Sequence, residues 1–206
     1  EQQNMKSKKD NVVNYWNSRP CNIRHSNAPI GTKEYFNAVE ERKYLVEPHI
    51  PDFAEFASWK GKKILEVGCG IGTDTINFAR AGALVTAVDI SQESLKIARQ
   101  RAQVFNLESR INFHEADAEH LSRTIADKTY DLIYSFGGMH HTPQPELAIK
   151  ELVKFCGPGT ELRIMLYAKN SWKDIMIEAG LDQPEAQSGC PVAYTYSKSD
   201  IVELMS

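Results

Sequence analysis

At 206 residues the chain is long enough for one domain with a sizeable core, and 42% hydrophobic and 25% charged residues exclude wholesale disorder. A formal net charge of −3 gives no sign of a basic face of the kind that grips a phosphate backbone, which disfavours a nucleic-acid substrate, although the total leaves room for a local patch. No uninterrupted apolar run approaches the roughly 20 residues of a membrane span, and the polar, Lys-rich start lacks the apolar centre of a secretory signal.

Residues 1–10 (EQQNMKSKKD) read as a frayed polar start. Asn11 to Ile30 has no sustained period, but it is too aromatic for a linker and should lie against the domain. Thr32 to Val46 reads as a helix stopped by Pro48, and Ile50 to Trp59 as a second short helix closed by Lys60-Gly61. A regular alternation follows. Strands are expected at Lys63–Val67, Leu84–Val88, Ile111–Glu115, Tyr130–Ser135 and Glu161–Leu166. Helices are expected at Thr73–Ala81, Ser91–Phe105, Pro145–Phe155 and Ser171–Ala179, with Gly157-Pro158-Gly159 as a turn. This order predicts an α/β fold, a doubly wound and mainly parallel sheet with helices on both faces. After Gly180 comes a Pro- and Gly-containing loop and a helix start at Ser199, with no strand to cover the sheet edge at Glu161–Leu166. The domain division is 1–60, an N-terminal segment and helical lid, and 61–206, the α/β domain.

Cys21, Cys69, Cys156 and Cys190 are far apart and form no CxxC or Cys/His cluster. Reduced thiols in a cytoplasmic protein are the expectation, with neither a structural metal nor a disulfide framework.

The informative segment is Glu66-Val67-Gly68-Cys69-Gly70-Ile71-Gly72, between the first strand and its helix. Glycine lets a backbone turn sharply and approach a ligand where a Cβ would clash, and the helix behind it offers free N–H groups. Asp89 ends the second strand, about 20 residues on, where an acid can accept from both ribose hydroxyls. The dinucleotide pattern GxGxxG would need a third glycine where Thr73 stands.

With ILEVGCGIGTDTINFARAGALVTAVDIS, the later HEADAEHL, and YDLIYSFGGMHHTPQPELAIKELVKFCGPGTELRIMLY in this order, the chain resembles the class I S-adenosylmethionine-dependent methyltransferases. The nearest branch is the small-molecule, ubiquinone/menaquinone type, and the resemblance spans roughly Glu34 to Leu166. It implies a Rossmann-like sheet, S-adenosylmethionine as methyl donor and S-adenosylhomocysteine as product. Gly68, Cys69 and Gly70 would lie against the methionine and ribose, and Glu66 would orient the loop or reach the cofactor's amino group. Asp89 would hold the ribose diol, with Ile90 beside the adenine. Asp117 and Ala118 would face the adenine edge, and Ser135 the methionine part. Thr73, a further cofactor contact, and Asp74 open the following helix, where an Asp suits either the cofactor or the helix dipole alone.

Methyl transfer is an in-line displacement that needs alignment above all, a base only if the acceptor must lose a proton, and no metal. His140 and His141, past the fourth strand, are the candidate bases, though paired histidines can equally pin the loop. Tyr15, Trp16, Arg19, Arg24, His25 and Tyr35 are the candidate acceptor contacts: aromatics to stack, guanidinium groups to clamp an anion. The predicted partner is a small molecule with an O, N or C nucleophile, and a homo-oligomer or other chain is a candidate cover for the sheet edge. Two rivals stand beside this reading: a nicotinamide-dependent oxidoreductase, and a methyltransferase-like subunit that binds a partner without turnover.

Overall fold

In the computed structural model, residues 2–126, 129–181 and 189–205 are described. The core is a parallel sheet of β1 (Lys63–Val67), β2 (Leu84–Asp89), β3 (Ile111–Glu115), β4 (Tyr130–Phe136) and β5 (Cys156–Met165), in the order β3-β2-β1-β4-β5. β1 pairs with both β2 and β4, so the chain reverses its direction of travel across the sheet there.

Both faces of the sheet are covered, and the alternation along β1 shows how. Ile64 joins a core with Ile76, Phe78 and Leu95, from α4 (Thr73–Arg80) and α5 (Gln92–Val104). Leu65 and Val67 face the other way, against Ile149 and Leu152 of α6 (Pro145–Val153). Each fully buried aliphatic side chain of this kind contributes about 1.5–3 kcal/mol. The helix starts carry their own signals: Ser91 Oγ accepts from Ser94 N–H at 3.1 Å, and Pro145 occupies the first turn of α6.

The N-terminus departs from the frayed start expected for residues 1–10. Gln2–Ser18 is helical (α1) and packs on α5. Lys9, Val12 and Trp16 recur at three- and four-residue spacing, which puts them on one helical face, and all three meet the domain. A single buried Val in a Lys-rich stretch was too thin an apolar stripe to read as a period. Next come α2 (Lys33–Val46), capped by Thr32 Oγ1 accepting from Tyr35 N–H, and α3 (Ile50–Ala54). The single helix expected over Ile50–Trp59 is split at Glu55, whose φ of 48° is left-handed, and Phe56–Trp59 continues as a tight 3₁₀ turn.

The turn expected at Gly157-Pro158-Gly159 lies inside β5 as a bulge. Register jumps from Tyr130↔Cys156 to Leu132↔Glu161, and Thr160 Oγ1 bridges the gap by accepting from Gly157 N–H and donating to Tyr130 C=O. Beyond β5, Tyr167–Ala168 (β6) pairs with Thr195–Tyr196 (β7) in a separate two-stranded sheet. Helices α7 (Trp172–Glu178) and α8 (Lys198–Met205) complete the chain. Among the described residues no strand pairs with the outer edge of β5. Residues 182–188 of the expected C-terminal loop lie outside the described residues. No described helix is long and apolar enough to cross a membrane.

Candidate active site

A cleft opens over the carboxyl ends of β1, β2 and β4, where strand order reverses and ligands bind in open α/β sheets. It encloses about 1190 Å³ of empty space, its open mouth included. Val67 ends β1 with Gly68 following, Val88 and Asp89 end β2, Phe136 ends β4 with Gly137 following, and Met165 ends β5.

The glycine loop is tied to β2 by its own backbone. Gly68 N–H and Cys69 N–H both donate to Val88 C=O, at 2.9 and 3.0 Å. Gly68 has a φ of 78°, and a Cβ on it would stand 3.1 Å from Gly138 Cα, so the β1 and β4 loops touch backbone to backbone. Gly70 differs: at φ 54° a Cβ there would meet no atom within 4 Å, so bare backbone faces the cleft. Asp89 spans the loop and the next helix, with Oδ2 accepting from Gly70 N–H at 2.8 Å and Oδ1 from Ser91 N–H at 2.9 Å. Burial raises the Asp89 carboxyl above the usual range, and those amides work against the shift.

Asp117 lines the cleft after β3, and Glu119 is buried behind it. Lys9 Nζ lies 2.6 Å from Asp117 Oδ2 and 2.6 Å from Glu119 Oε2, so α1 lies across this end of the cleft. Asp117 Oδ1 also accepts from Glu119 N–H, and Glu119 Oε1 accepts from Thr142 Oγ1 and Gln144 N–H. Further along α1, Ser91 Oγ donates to Trp16 C=O, and the Trp16 ring meets His141 edge-on with centroids 5.1 Å apart.

Behind the loop is a buried polar knot. Asp74 accepts from Lys43 Nζ at 2.8 Å, Tyr44 OH at 3.0 Å and Tyr134 OH at 3.0 Å, which joins α2 to α4 and β4. Arg101, fully buried on α5, donates to Thr73 Oγ1 and Phe36 C=O. Burial pulls its guanidinium down to about 10, against the pull of Glu40.

Of the cofactor candidates, Gly68, Cys69, Gly70, Thr73, Asp89, Ile90, Asp117 and Ala118 line the cleft. Glu66 and Ser135 do not. Glu66 is buried beneath the loop, accepts from Thr75 Oγ1 at 2.6 Å, and is pushed up to about 8 by burial and by Asp74. Ser135 is fully buried and donates to Val67 C=O at 2.8 Å.

Of the acceptor candidates, Trp16 lines the cleft, whereas Tyr15, Arg19, Arg24, His25 and Tyr35 are not part of its wall. Tyr35 faces the core between α2 and α5, where its hydroxyl donates to Ile23 C=O. The helical course of α1 carries Tyr15 to the face adjoining Trp16, with rings 5.0 Å apart.

The two histidines are deeply placed. His140 is fully buried, its ring 3.7 Å from that of Tyr167, and it is absent from the cleft wall. Burial and the adjacent His141 hold it well below the ordinary histidine range. His141 lines the cleft, but its Nδ1 is 2.7 Å from Val192 C=O, which can only accept, so Nδ1 carries the proton. Burial pushes His141 down to about 4, with Lys173 adding to the effect and the Val192 bond opposing it.

The wall also holds Lys9, Lys43, Glu47, Cys21, Phe136 and Tyr167, none of which the sequence reading weighed as a contact. Lys43 and Glu47, one turn apart ahead of Pro48, were legible as an i,i+4 pair on α2, but which face they occupied was not.

The fold and the loop define a class: an open α/β sheet with a glycine turn after β1 and an acid ending β2. Residues 64–159, a little under half of the chain, match the family model described as "Methyltransferase domain". The chain is 35% identical over 123 residues to the methyltransferase GfsG of Streptomyces halstedii, an alignment covering 59% of this chain and 41% of that protein. It is 34% identical over 133 residues to the ubiquinone biosynthesis O-methyltransferase of Coxiella burnetii, covering 63% of this chain and 55% of the relative. The chain thus spans about half the length of these curated relatives. Among solved structures, magnesium protoporphyrin IX methyltransferase from Synechocystis PCC 6803, with bound S-adenosylhomocysteine, superposes with a TM-score of 0.65 at 21% identity. That match covers 95% of this chain and 86% of the other, and it shows a shared fold.

Proposed function

We propose that the protein transfers a methyl group from S-adenosylmethionine to a small-molecule acceptor bearing an O, N or C nucleophile. The observation that carries this reading is the junction of Gly70 and Asp89. A bare backbone facing the cleft stands beside a carboxylate already oriented by two amides, at the one point of the sheet where strand order reverses. That arrangement fits a nucleoside: Gly70 admits close approach, and Asp89 accepts from vicinal ribose hydroxyls.

The cofactor supplies an electrophilic methyl group on a sulfonium. Gly68 to Gly70 hold its methionine and ribose part, with Cys69 between them and Thr73 at the helix start behind. Ile90 flanks the adenine, and Asp117 with the Ala118 N–H reads the adenine edge. Glu66 and Ser135 act from behind the wall, holding the loop and the β1–β4 contact rather than touching ligand. Residues 1–60 form the lid of the domain at 61–206, with Trp16 as its contact to the acceptor. His141 serves as a neutral wall and His140 as packing beneath it. The protein is read as cytoplasmic on its widely spaced cysteines, and a second copy or another chain is the proposed cover for the β5 edge.

Isothermal titration with S-adenosylhomocysteine and with NAD tests the reading. Binding of the former and not the latter is expected; binding of NAD alone would overturn it. Incubation with methyl-tritiated cofactor and a small-molecule metabolite extract tests turnover.

A further inference from the structure

Among the described residues three carboxylates line the cleft: Asp89, Asp117 and Glu47. Two are engaged. Asp89 accepts from the Gly70 and Ser91 amides, and Asp117 from Lys9 and the Glu119 amide. The side chain of Glu47 makes no hydrogen bond or ion pair with any described residue, although it is half-buried. Lys43, one turn earlier on α2, is committed to Asp74. A partly desolvated carboxylate without a donor is unfavourable, and a ligand O–H or N–H that reaches it removes that penalty.

The surroundings indicate what such a ligand is made of. Trp16, Phe136, Met165 and Tyr167 share the cleft wall with Glu47, so a protic group on an apolar or aromatic frame is matched on both counts. The neighbouring histidines are the weaker bases: His141 keeps an unprotonated Nε2, but burial pushes it down to about 4, whereas Glu47 is raised from 4.5. His140 is outside the wall, and His141 is held neutral with Nδ1 turned to Val192.

We propose that Glu47 binds the hydroxyl or amino hydrogen of the methyl acceptor and takes its proton during transfer. The inference rests on the methyltransferase reading above. The acceptor's lone pair forms the new bond to the methyl carbon, the carbon–sulfur pair returns to sulfur, and the acceptor's proton ends on the Glu47 carboxylate. No further reagent is needed. Burial raises Glu47 above the ordinary carboxylate range, which makes it a stronger base than a solvated glutamate. Lys43 on α2 and Lys173 on α7 pull it down, and Asp74 on α4 pushes it up. Cys21, raised to about 12 chiefly by burial, and Tyr167, raised likewise by burial, are uncharged neighbours at neutral pH.

The test compares wild type, Glu47→Gln and Glu47→Asp with methyl-tritiated S-adenosylmethionine and the metabolite extract, alongside calorimetry with S-adenosylhomocysteine. In wild type the rate should rise with pH through the Glu47 titration and then level. Glu47→Gln should lower transfer by about 100-fold or more and abolish that limb, with S-adenosylhomocysteine affinity unchanged and partial rescue in Glu47→Asp. Transfer by Glu47→Gln at the wild-type rate would overturn the proposal. So would a loss explained by weaker S-adenosylhomocysteine binding, which would assign Glu47 to the cofactor's amino-acid end. Wild type that binds S-adenosylhomocysteine but labels no product overturns the enzyme reading and this inference with it. Wild type that binds none overturns the cofactor site itself.

Discussion

Lys9 and Asp117 are 108 residues apart in sequence, and Lys9 Nζ lies 2.6 Å from Asp117 Oδ2. The ammonium, shared with Glu119, holds α1 against the wall proposed to read adenine. Burial pulls the Lys9 ammonium down, but the hydrogen bonds it donates to Asp117 and Glu119 raise it above its usual range. Replacing it with an uncharged side chain should loosen the lid while leaving the sheet intact. Lys9→Met is expected to speed both association and dissociation of S-adenosylhomocysteine several-fold. Stopped-flow fluorescence of Trp16, which lines the same cleft, would follow both phases. Added salt should produce the same acceleration in wild type and little in the variant, because the pair is partly exposed.

Asp89 has two duties that one substitution separates. Its carboxylate orients the Gly70 and Ser91 amides, and it is the proposed partner of the ribose hydroxyls. Asp89→Asn keeps one carbonyl acceptor and the side-chain volume. Stability should fall by about 1–2 kcal/mol in urea unfolding, while S-adenosylhomocysteine affinity falls by about 2–3 kcal/mol, since hydrogen bonds to a charged group are the stronger kind. Equal affinity in the two proteins would remove Asp89 from the cofactor site.

The histidines make a prediction about pH. His141 is pushed from 6.5 to about 4 in the folded protein, and His140 lies well below its usual value too. Unfolded histidines therefore bind protons that the folded ones refuse, so stability is full above about pH 6.5 and declines as pH falls towards 4. Replacing His141 by Gln should flatten part of that decline in thermal melts across the same window. Proton NMR of the imidazoles should show neither ring titrating between pH 5.5 and 8.

Glu66 bends the curve the other way. Its folded value of about 8 lies above the ordinary 4.5, so the folded state holds a proton the unfolded chain releases. Stability from this group is present below about pH 4.5 and is lost as pH rises towards 8. Glu66→Gln, which keeps the Thr75 contact without a charge, should remove that alkaline decline in the same melts.

The Lys43–Asp74 pair invites a stability test. Both side chains are close to fully buried, and Asp74 also receives two tyrosine hydroxyls. Lys43→Met would strand a buried carboxylate, with an expected loss of about 3–5 kcal/mol in urea unfolding. Lys43→Met combined with Asp74→Asn should recover part of that loss.

The sheet was readable because its strands are short apolar runs separated by helices; four were expected to within one residue of their ends, and the fifth begins at Cys156, five residues before its expected start. The glycine loop proposed to hold the cofactor was readable for the same local reason: Gly68, Gly70 and Asp89 are placed by the backbone of adjacent elements. What escaped depends on contacts far along the chain. Lys9 meets its partners only once α1 folds over β3's loop, and a Lys-rich helix with one buried valine carries no period to announce it. Glu47 was hidden by an ordinary appearance, an acid near a helix end, where solvation is the usual fate. His140 and His141 attracted attention by chemistry alone, and burial decides their state.

The approach of Gly68 to Gly138 has a thermodynamic consequence. The loop after β1, proposed to hold the methyl donor, and the loop after β4 pack backbone against backbone there, so a side chain on either would push them apart. A ligand that orders one of them would then also bear on the other. By linkage, whatever factor the methyl donor adds to acceptor affinity, the acceptor returns to the donor, and each would also slow the other's escape. Binding of the two substrates would then be cooperative in either order of addition, through a contact containing no side chain at all.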